Sequence, residues 1–341
     1  MNQSKLEERV RQIFEEQGFK VSKKGDKMIA ENGQEIVINL FSSEKFEAED
    51  IEVADEDILI FVDEALSEVQ EQLSNEVSII SDRDDQPEYD IPSYELVGDI
   101  AVINELVGAS KQDAVEGILA HHPRVETILL KKEGLKGEFR VGDYEKLHGG
   151  ETETVHKEFG CRFKVDPTKV YFSERYGTER DRVVSQIQEG EKVLVMFAGV
   201  GPFAIMAARK QKPEKVVAVE KNPEAAKYLR QNVELNNVED IVEVHEGDVE
   251  DVLPDLGKFD RIIMPLPGMA DEFLDLAIDK AEEDAVIHYY RFLGDEKWEN
   301  VLAEVDKSLM ERSREYSILQ KTVCGNKSPG VERICLDVRI E

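Results

Sequence analysis

The sequence predicts an α/β chain whose C-terminal half is a doubly wound parallel sheet, preceded by a small α/β layer and an accessory α+β segment. Three observations carry this prediction. From Lys192 to Pro223 a strand, a glycine turn, a helix and a second strand follow one another. Short apolar runs then alternate with helical periods almost to the end of the chain. A smaller strand–helix–strand alternation occupies residues 94–131. The division that results is 1–86, 87–165 and 166–341.

In the first segment, Leu6, Val10, Ile13 and Phe14 recur at helical spacing and Gly18 stands where a C-cap would end that helix. Strand-like runs follow at Met28 to Ala30 and Ile36 to Leu40. The polar string SDRDDQPEYDIPSYE, with two prolines, reads as a linker. Beyond it, Leu96 to Ile103 is a strand broken at Gly98-Asp99, Lys111 to Ala120 a helix and Thr127 to Lys131 a strand. Phe163 to Val165 with Val170 and Tyr171 predict a strand or hairpin, and Thr178 is placed to cap a helix beginning at Glu179. Arg175, Glu179, Arg180 and Arg182 cluster there. Val193 to Val195 and Val216 to Val219 are buried strands around a helix at Ala204 to Lys210. Glu224 to Leu235 is helical, Val242 to Val244 and Asp260 to Met264 are strands, and Phe273 to Lys280 is another helix. Ala285 to Tyr290 is a strand in which His288 reads as a packed residue rather than a catalyst. Ser317 to Ile340 reads as two strands around the turn CGNKSPG.

The glycine turn carries the chemistry. Gly199 and Gly201 let the backbone approach a ligand, and Glu220 at the end of the next strand stands where ribose hydroxyls are gripped. No third glycine opens the helix, which weakens a pyrophosphate cofactor such as a nicotinamide or flavin dinucleotide. S-adenosylmethionine has a ribose and an adenine but no phosphate, and needs the turn and the acid alone. Asp248 would meet Gly199 and Glu220 in the crevice at the strand tips.

Composition bounds the rest. Among 341 residues, 74 acidic groups against 43 basic ones give a formal net charge of −31. That balance predicts an acidic surface of the kind suited to a salt-rich cytoplasm, where screening shortens the reach of each charge. Against it, the segment KKEGLKGEFRV keeps Lys131, Lys132, Lys136 and Arg140 together as a basic island, which points to phosphate or RNA contact. The three cysteines, Cys161, Cys324 and Cys335, lie far apart and support neither a disulfide framework nor a zinc site; no metal is expected. No signal peptide and no apolar run of membrane-spanning length is visible, so a cytoplasmic protein without membrane association is expected.

A series of motifs in order, GEFRV at 137–141, VYFSERYGTER at 170–180, MFAGVGPF at 196–203, VAVEKNP at 217–223, GD at 247–248, MPLP at 264–267 and VIHYY at 286–290, resembles the archaeal and eukaryotic tRNA (guanine-N1-)-methyltransferases acting at position 37. The resemblance covers residues 90 to 341; the first 86 do not match the usual N-terminal domain. It implies a class I Rossmann-like methyltransferase domain, S-adenosylmethionine as cofactor and tRNA as partner, in a monomer. It implies Glu179 as the general base at guanine N1 and Arg140 as the cation that stabilises O6. Arg180, Phe197, Gly199, Gly201, Glu220, Asp248, Pro265 and Pro267 are then expected to hold the cofactor, and Lys131, Lys132, Lys136, Tyr171 and Arg175 the RNA. Two positions depart from the family: Val195 stands where an aspartate is usual, and Pro265 where an asparagine is. Alternative readings are a methyltransferase of this fold acting on another RNA site or on a tricyclic guanosine derivative at position 37, and a non-catalytic RNA-binding relative.

Overall fold

The computed structural model describes residues 20–24, 27–31, 35–39, 51–52, 91–132, 142–294, 297–328 and 330–341. Two compact units divide the chain, Met1–Glu88 and Tyr89–Glu341. The first contains an antiparallel sheet in the order β1 (Lys20–Lys24), β2 (Lys27–Glu31), β3 (Glu35–Asn39) and β4 (Ile51–Glu52). The helix expected over Leu6 to Gly18 lies outside the described residues.

Of the three later sheets, all in the second unit, a four-stranded and a seven-stranded one are the larger. The four-stranded sheet runs β5 (Tyr94–Val97), β6 (Ile100–Ile103), β7 (Thr127–Lys131) and β8 (Tyr144–His148). β6 and β7 are parallel, which demands a crossover, and α1 (Lys111–His121) supplies it. Ser110 caps that helix by accepting the Asp113 N–H at 3.1 Å.

A separate hairpin, β9 (Thr154–Glu158) and β10 (Cys161–Val165), follows. Its partnering departs from the sequence expectation. Val170 and Tyr171 form no strand, because Asp166 closes a turn at that point: its Oδ1 accepts from the Thr168 N–H at 3.0 Å, and its carbonyl accepts from the Val170 N–H at 3.0 Å. Phe163 instead pairs with His156. The next helix, α2 (Gly177–Val184), starts ahead of the expected Thr178 cap, because a 3₁₀ turn over Glu174–Tyr176 leads directly into it.

The seven-stranded sheet has the order β13 (Val242–Glu246), β12 (Lys215–Glu220), β11 (Lys192–Met196), β14 (Phe259–Met264), β15 (Ala281–Leu293), β17 (Val331–Ile340) and β16 (Tyr316–Ser328). The first five strands are parallel, and the last two form an antiparallel finish. β16 continues through most of CGNKSPG, so the reversal is tighter than the sequence suggests. Strands buried on both faces lose the polar alternation of an edge strand, which is why β11 reads Val-Leu-Val-Met.

Leu194, Met196, Ile262 and Tyr289 face one core, covered by α6 (Leu274–Asp279) and α7 (Trp298–Glu311). Val193, Val195, Ile263 and Tyr290 face the other, covered by α2, α3 (Pro202–Lys210) and α4 (Pro223–Leu235). A short α5 (Val249–Val252) follows β13. This is the doubly wound, Rossmann-like arrangement expected of a methyltransferase. The strand order reverses between β11 and β14, the place where such sheets open a ligand crevice at their carboxyl ends. Among the described residues no helix is long and apolar enough to cross a membrane.

Candidate functional site

The carboxyl ends of β11, β12, β13 and β14 surround a crevice lined by Phe197, Gly199, Glu220, Asp248 and Pro265, with Asn222, Leu266 and Phe273 adding to its wall. β11 ends in a turn with positive φ at Phe197 (56°), Gly199 (59°) and Gly201 (94°). The two glycines do different work. A Cβ on Gly199 would meet nothing within 4 Å, so the backbone there is open to a ligand, whereas a Cβ on Gly201 would lie 2.3 Å from Leu229 Cδ1. Gly201 lets α3 pack against α4 and does not line the crevice; Pro267 does not line it either.

Glu220 Oε2 accepts the Gly199 N–H at 2.6 Å and Oε1 the Asn222 N–H at 2.7 Å, so the acid braces the turn. Burial pushes its carboxyl up, against the pull of those donors. Asp248 accepts from Lys221 Nζ at 2.8 Å, which holds its carboxyl below the usual range, and it caps α5 through the Glu250 N–H at 3.1 Å.

This lining fits a nucleoside with no phosphate. Pro202 opens α3 without an N–H, and the Gly201 N–H is bonded to the Ala198 carbonyl at 3.0 Å, so the helix start has little to offer a pyrophosphate. Phe197 and Phe273, 5.0 Å apart edge to face, with Val219, Ala225 and Leu266, give apolar walls suited to an adenine, and the two carboxylates suit hydroxyls and an amine. Val195, where the family resemblance expects an acid, is fully buried in register with Ala218 and Ile263.

A second cavity of about 500 Å³ adjoins the first. Its wall combines Lys131, Arg175 and Lys327 with Tyr144, Tyr171, Phe172 and Tyr176, and Tyr171 lines both cavities. Arg175 pairs with Glu95 at 2.9 Å. Burial lowers the Lys131 ammonium, which Glu95 partly offsets. Lys132 is exposed outside this wall, while Lys136 and Arg140 lie outside the described residues.

The cluster at the start of α2 is not a surface network. Glu179 and Arg180 are 6% and 4% exposed. Arg180 is bonded bidentately to Glu158, with Nε to Oε1 at 2.7 Å, and stacks on Phe172; like Glu179, it is not part of the lining of the crevice or of the second cavity. Glu179 Oε2 and Oε1 accept from Arg182 at 2.7 and 2.9 Å, and Oε1 also accepts the Tyr290 hydroxyl at 2.7 Å. Behind them Asp337 accepts from Arg182 at 2.6 Å and from His288 Nδ1 at 2.8 Å. His288 is fully buried, as its strand position predicts, but it is a hydrogen-bonding member of this chain of charges rather than apolar filling.

Tyr144, Tyr176 and Lys327 escaped the sequence reading, as did Asp337. Its signal was present: an acid inside the apolar run ICLDV must either have a partner or be neutral.

Residues 154–319 match the family described as TRM5/TYW2 methyltransferase domain. The tRNA (guanine(37)-N(1))-methyltransferase Trm5b of Pyrococcus abyssi is 40% identical over 255 residues, covering 73% of this chain and 74% of the relative. A crystal structure of Trm5b from Pyrococcus abyssi matches with a TM-score of 0.68 at 30% identity, over 99% of this chain and 97% of that one. The tRNA(Phe) (4-demethylwyosine(37)-C(7)) aminocarboxypropyltransferase of Methanocaldococcus jannaschii is 32% identical over 250 residues, 73% of this chain and 98% of the relative. The structure of Methanocaldococcus jannaschii TYW2 in complex with AdoMet matches with a TM-score of 0.58 at 28% identity, over 73% and 99% of the two chains. The order of the seven-stranded sheet, the crevice at its glycine turn and these likenesses agree, and the chain belongs to the TRM5/TYW2 methyltransferase family.

Proposed function

We propose that this S-adenosylmethionine-dependent tRNA methyltransferase acts as a monomer and forms N1-methylguanosine at position 37, next to the anticodon. The observation that carries the reading is the shared wall at Tyr171: the nucleoside crevice on one side and an aromatic, basic cavity on the other abut there, as donor and acceptor must. Tyr144, Tyr171 and Tyr176 offer faces for a base lifted out of its stack, and Lys131, Arg175 and Lys327 offer cations for its phosphates.

When bound, S-adenosylmethionine supplies an electrophilic methyl group. Phe197, Gly199, Glu220 and Asp248 would hold it. Guanine N1 carries a proton and is a poor nucleophile until that proton leaves. Glu179 would take the N1 proton; the pair freed from N–H forms the new N1–C bond while the methyl–sulfur bond breaks and its pair returns to sulfur, and negative charge builds on O6 only as deprotonation runs ahead of transfer. Arg140 is assigned to the charge developing at O6, with Lys131, Lys132 and Lys136 on the same basic segment.

A second reading has support of its own: a relative similar over nearly its whole length bears the name of an aminocarboxypropyltransferase acting on 4-demethylwyosine at the same nucleotide. The two differ in the group transferred and in the base that accepts it. Guanosine-37 and adenosine-37 tRNA transcripts, incubated with cofactor labelled either in the methyl or in the carboxyl carbon, separate them after digestion and mass spectrometry. Methyl label in 1-methylguanosine from the first transcript alone is expected; carboxyl label, or no product without a wyosine precursor, overturns the reading. Glu179→Gln is expected to lower the single-turnover rate by about 100-fold or more at saturating cofactor. Unchanged turnover in that variant removes Glu179 as the base.

A further inference from the structure

Glu179 of α2 and Asp337 of β17 share one guanidinium. Arg182 donates to Glu179 through Nε and Nη2, and to Asp337 through Nη1 at 2.6 Å and Nη2 at 3.2 Å. The sharing is unequal. Asp337, with no exposed surface, also accepts from His288 Nδ1 at 2.8 Å, from Gln186 Nε2 at 3.0 Å and from the Cys335 thiol at 3.3 Å. Among the described residues, Glu179 has, beyond Arg182, only the Tyr290 hydroxyl.

His288 is itself set in one tautomer. Arg261 Nη1 donates to its Nε2 at 2.8 Å, so Nδ1 carries the hydrogen that Asp337 accepts, and burial favours this neutral form. Arg261 is in turn held by Glu191 at 2.7 and 2.9 Å.

We propose that Asp337 is a positioning residue which, through Arg182, makes Glu179 the member of the pair that accepts the substrate's proton. The inference rests on Glu179 being the base. A carboxylate gripped bidentately by an unshared guanidinium is a weak base, because the cation favours its charged form. A second carboxylate on the same guanidinium offsets that cation and repels the first, so protonation becomes easier at whichever acid has fewer donors. Asp337 is not that acid: burial raises its carboxyl, yet the His288 N–H and the Arg182 guanidinium together hold it well below the usual range. Asp337, the acid with more donors, is therefore the one that keeps its charge.

The other groups facing Glu179 do not undo this. Cys324 of β16 and Cys335 of β17 are kept neutral by burial, the Cys324 thiol being pushed up to about 12. Tyr290 of β15 is held protonated by burial, so it only donates. Arg333 of β17 stacks on Tyr176 and Tyr290, 3.9 and 4.9 Å from their ring centres, placing its charge over the rings.

The test compares variants of the full chain in single-turnover methyl transfer to a guanosine-37 tRNA transcript across pH. Asp337→Asn removes the competing charge, so the acidic limb of the rate profile should move down by about one pH unit while the plateau rate falls, with KM for tRNA and cofactor within about twofold of wild type. Tyr290→Phe removes a donor from Glu179 without opening the core, so its limb should move up. Opposite displacements support the proposal. Limbs that stay put, or that move the same way in both variants, overturn it, and so does a Tyr290→Phe profile that matches wild type if Asp337→Asn does not fold. Glu179→Gln, run alongside, reports on the base alone: activity there sinks the underlying assignment, whereas its loss with unmoved limbs sinks only the role of Asp337.

Discussion

Gly199 and Gly201 are two residues apart, share a left-handed backbone and answer to different demands. At Gly199 a methyl group would enter open space beside the crevice, and at Gly201 it would strike Leu229. Alanine at either site forces an L-residue to a positive φ, a cost of about 1–2 kcal/mol. Only at Gly201 is a steric clash added, because Leu229 is fully buried and must shift. Calorimetry is therefore expected to find weaker S-adenosylmethionine binding and a modest loss of melting temperature in Gly199→Ala, and a larger loss of melting temperature in Gly201→Ala. The reverse ranking would mean that the second glycine, not the first, faces the ligand. Val195 illustrates the same contrast between chemical type and place. Its flank of Ala218 and Ile263 has no polar partner to offer, so the apolar side chain belongs to the sheet core and the turn is braced by Glu220 instead.

At the scale of elements, the hairpin of β9 and β10 is tied to the large sheet by a helix rather than by strand pairing. Asn232 and Asn236, one turn apart on and just beyond α4, extend their amides to the edge of β10. Asn232 accepts the Lys164 N–H at 2.6 Å and donates to the Lys164 and Val200 carbonyls, both at 3.0 Å. Asn236 accepts the Arg162 N–H at 2.9 Å and donates to the Arg162 carbonyl at 2.6 Å. Two side-chain amides thus replace a strand that the hairpin lacks on that side. β10 leads directly to the Asp166 turn, Tyr171 and the helix of Glu179, so this clamp positions the wall between the two cavities. Asn232→Ala leaves a buried N–H and two carbonyls without that partner, and should lower unfolding stability by about 2–4 kcal/mol. Denaturant titration checks the loss; a change below 1 kcal/mol would mean that water substitutes for the amide.

For the whole molecule the governing quantity is charge. A net −31 over 341 residues makes the chain repel itself and its RNA substrate alike, and the basic side chains at the second cavity are local exceptions to that field. Added salt screens the self-repulsion before it weakens close ion pairs such as Arg180 with Glu158, which are shielded from solvent. The melting temperature is accordingly expected to rise as KCl increases from about 0.01 M to about 1 M, the range over which the screening length falls from about 30 Å to about 3 Å. A flat or falling profile, followed by circular dichroism, would contradict a role for the acidic surface in salt adaptation.

Much of this molecule could be read from residues near one another in the chain. Short continuous apolar runs located β11, β12 and β14, and runs of good helix formers located α3 and α4, since a strand buried on both faces or a helix is written in its own consecutive side chains. The glycine turn and its acid sufficed to mark a nucleoside crevice, and the missing third glycine weakened a pyrophosphate cofactor, because those features act within one βαβ unit. Tertiary structure alone decided the rest. Glu179 meets Tyr290 across 111 positions and Arg182 meets Asp337 across 155, contacts created only when β15 and β17 close the sheet beside α2. No local pattern announces them, so the charged cluster seen in sequence at the start of α2 contributes to a buried pair of acids around one arginine. Likewise only the packed fold separates Gly199, open to ligand, from Gly201, closed by Leu229, and sets Tyr171 in the wall common to both cavities.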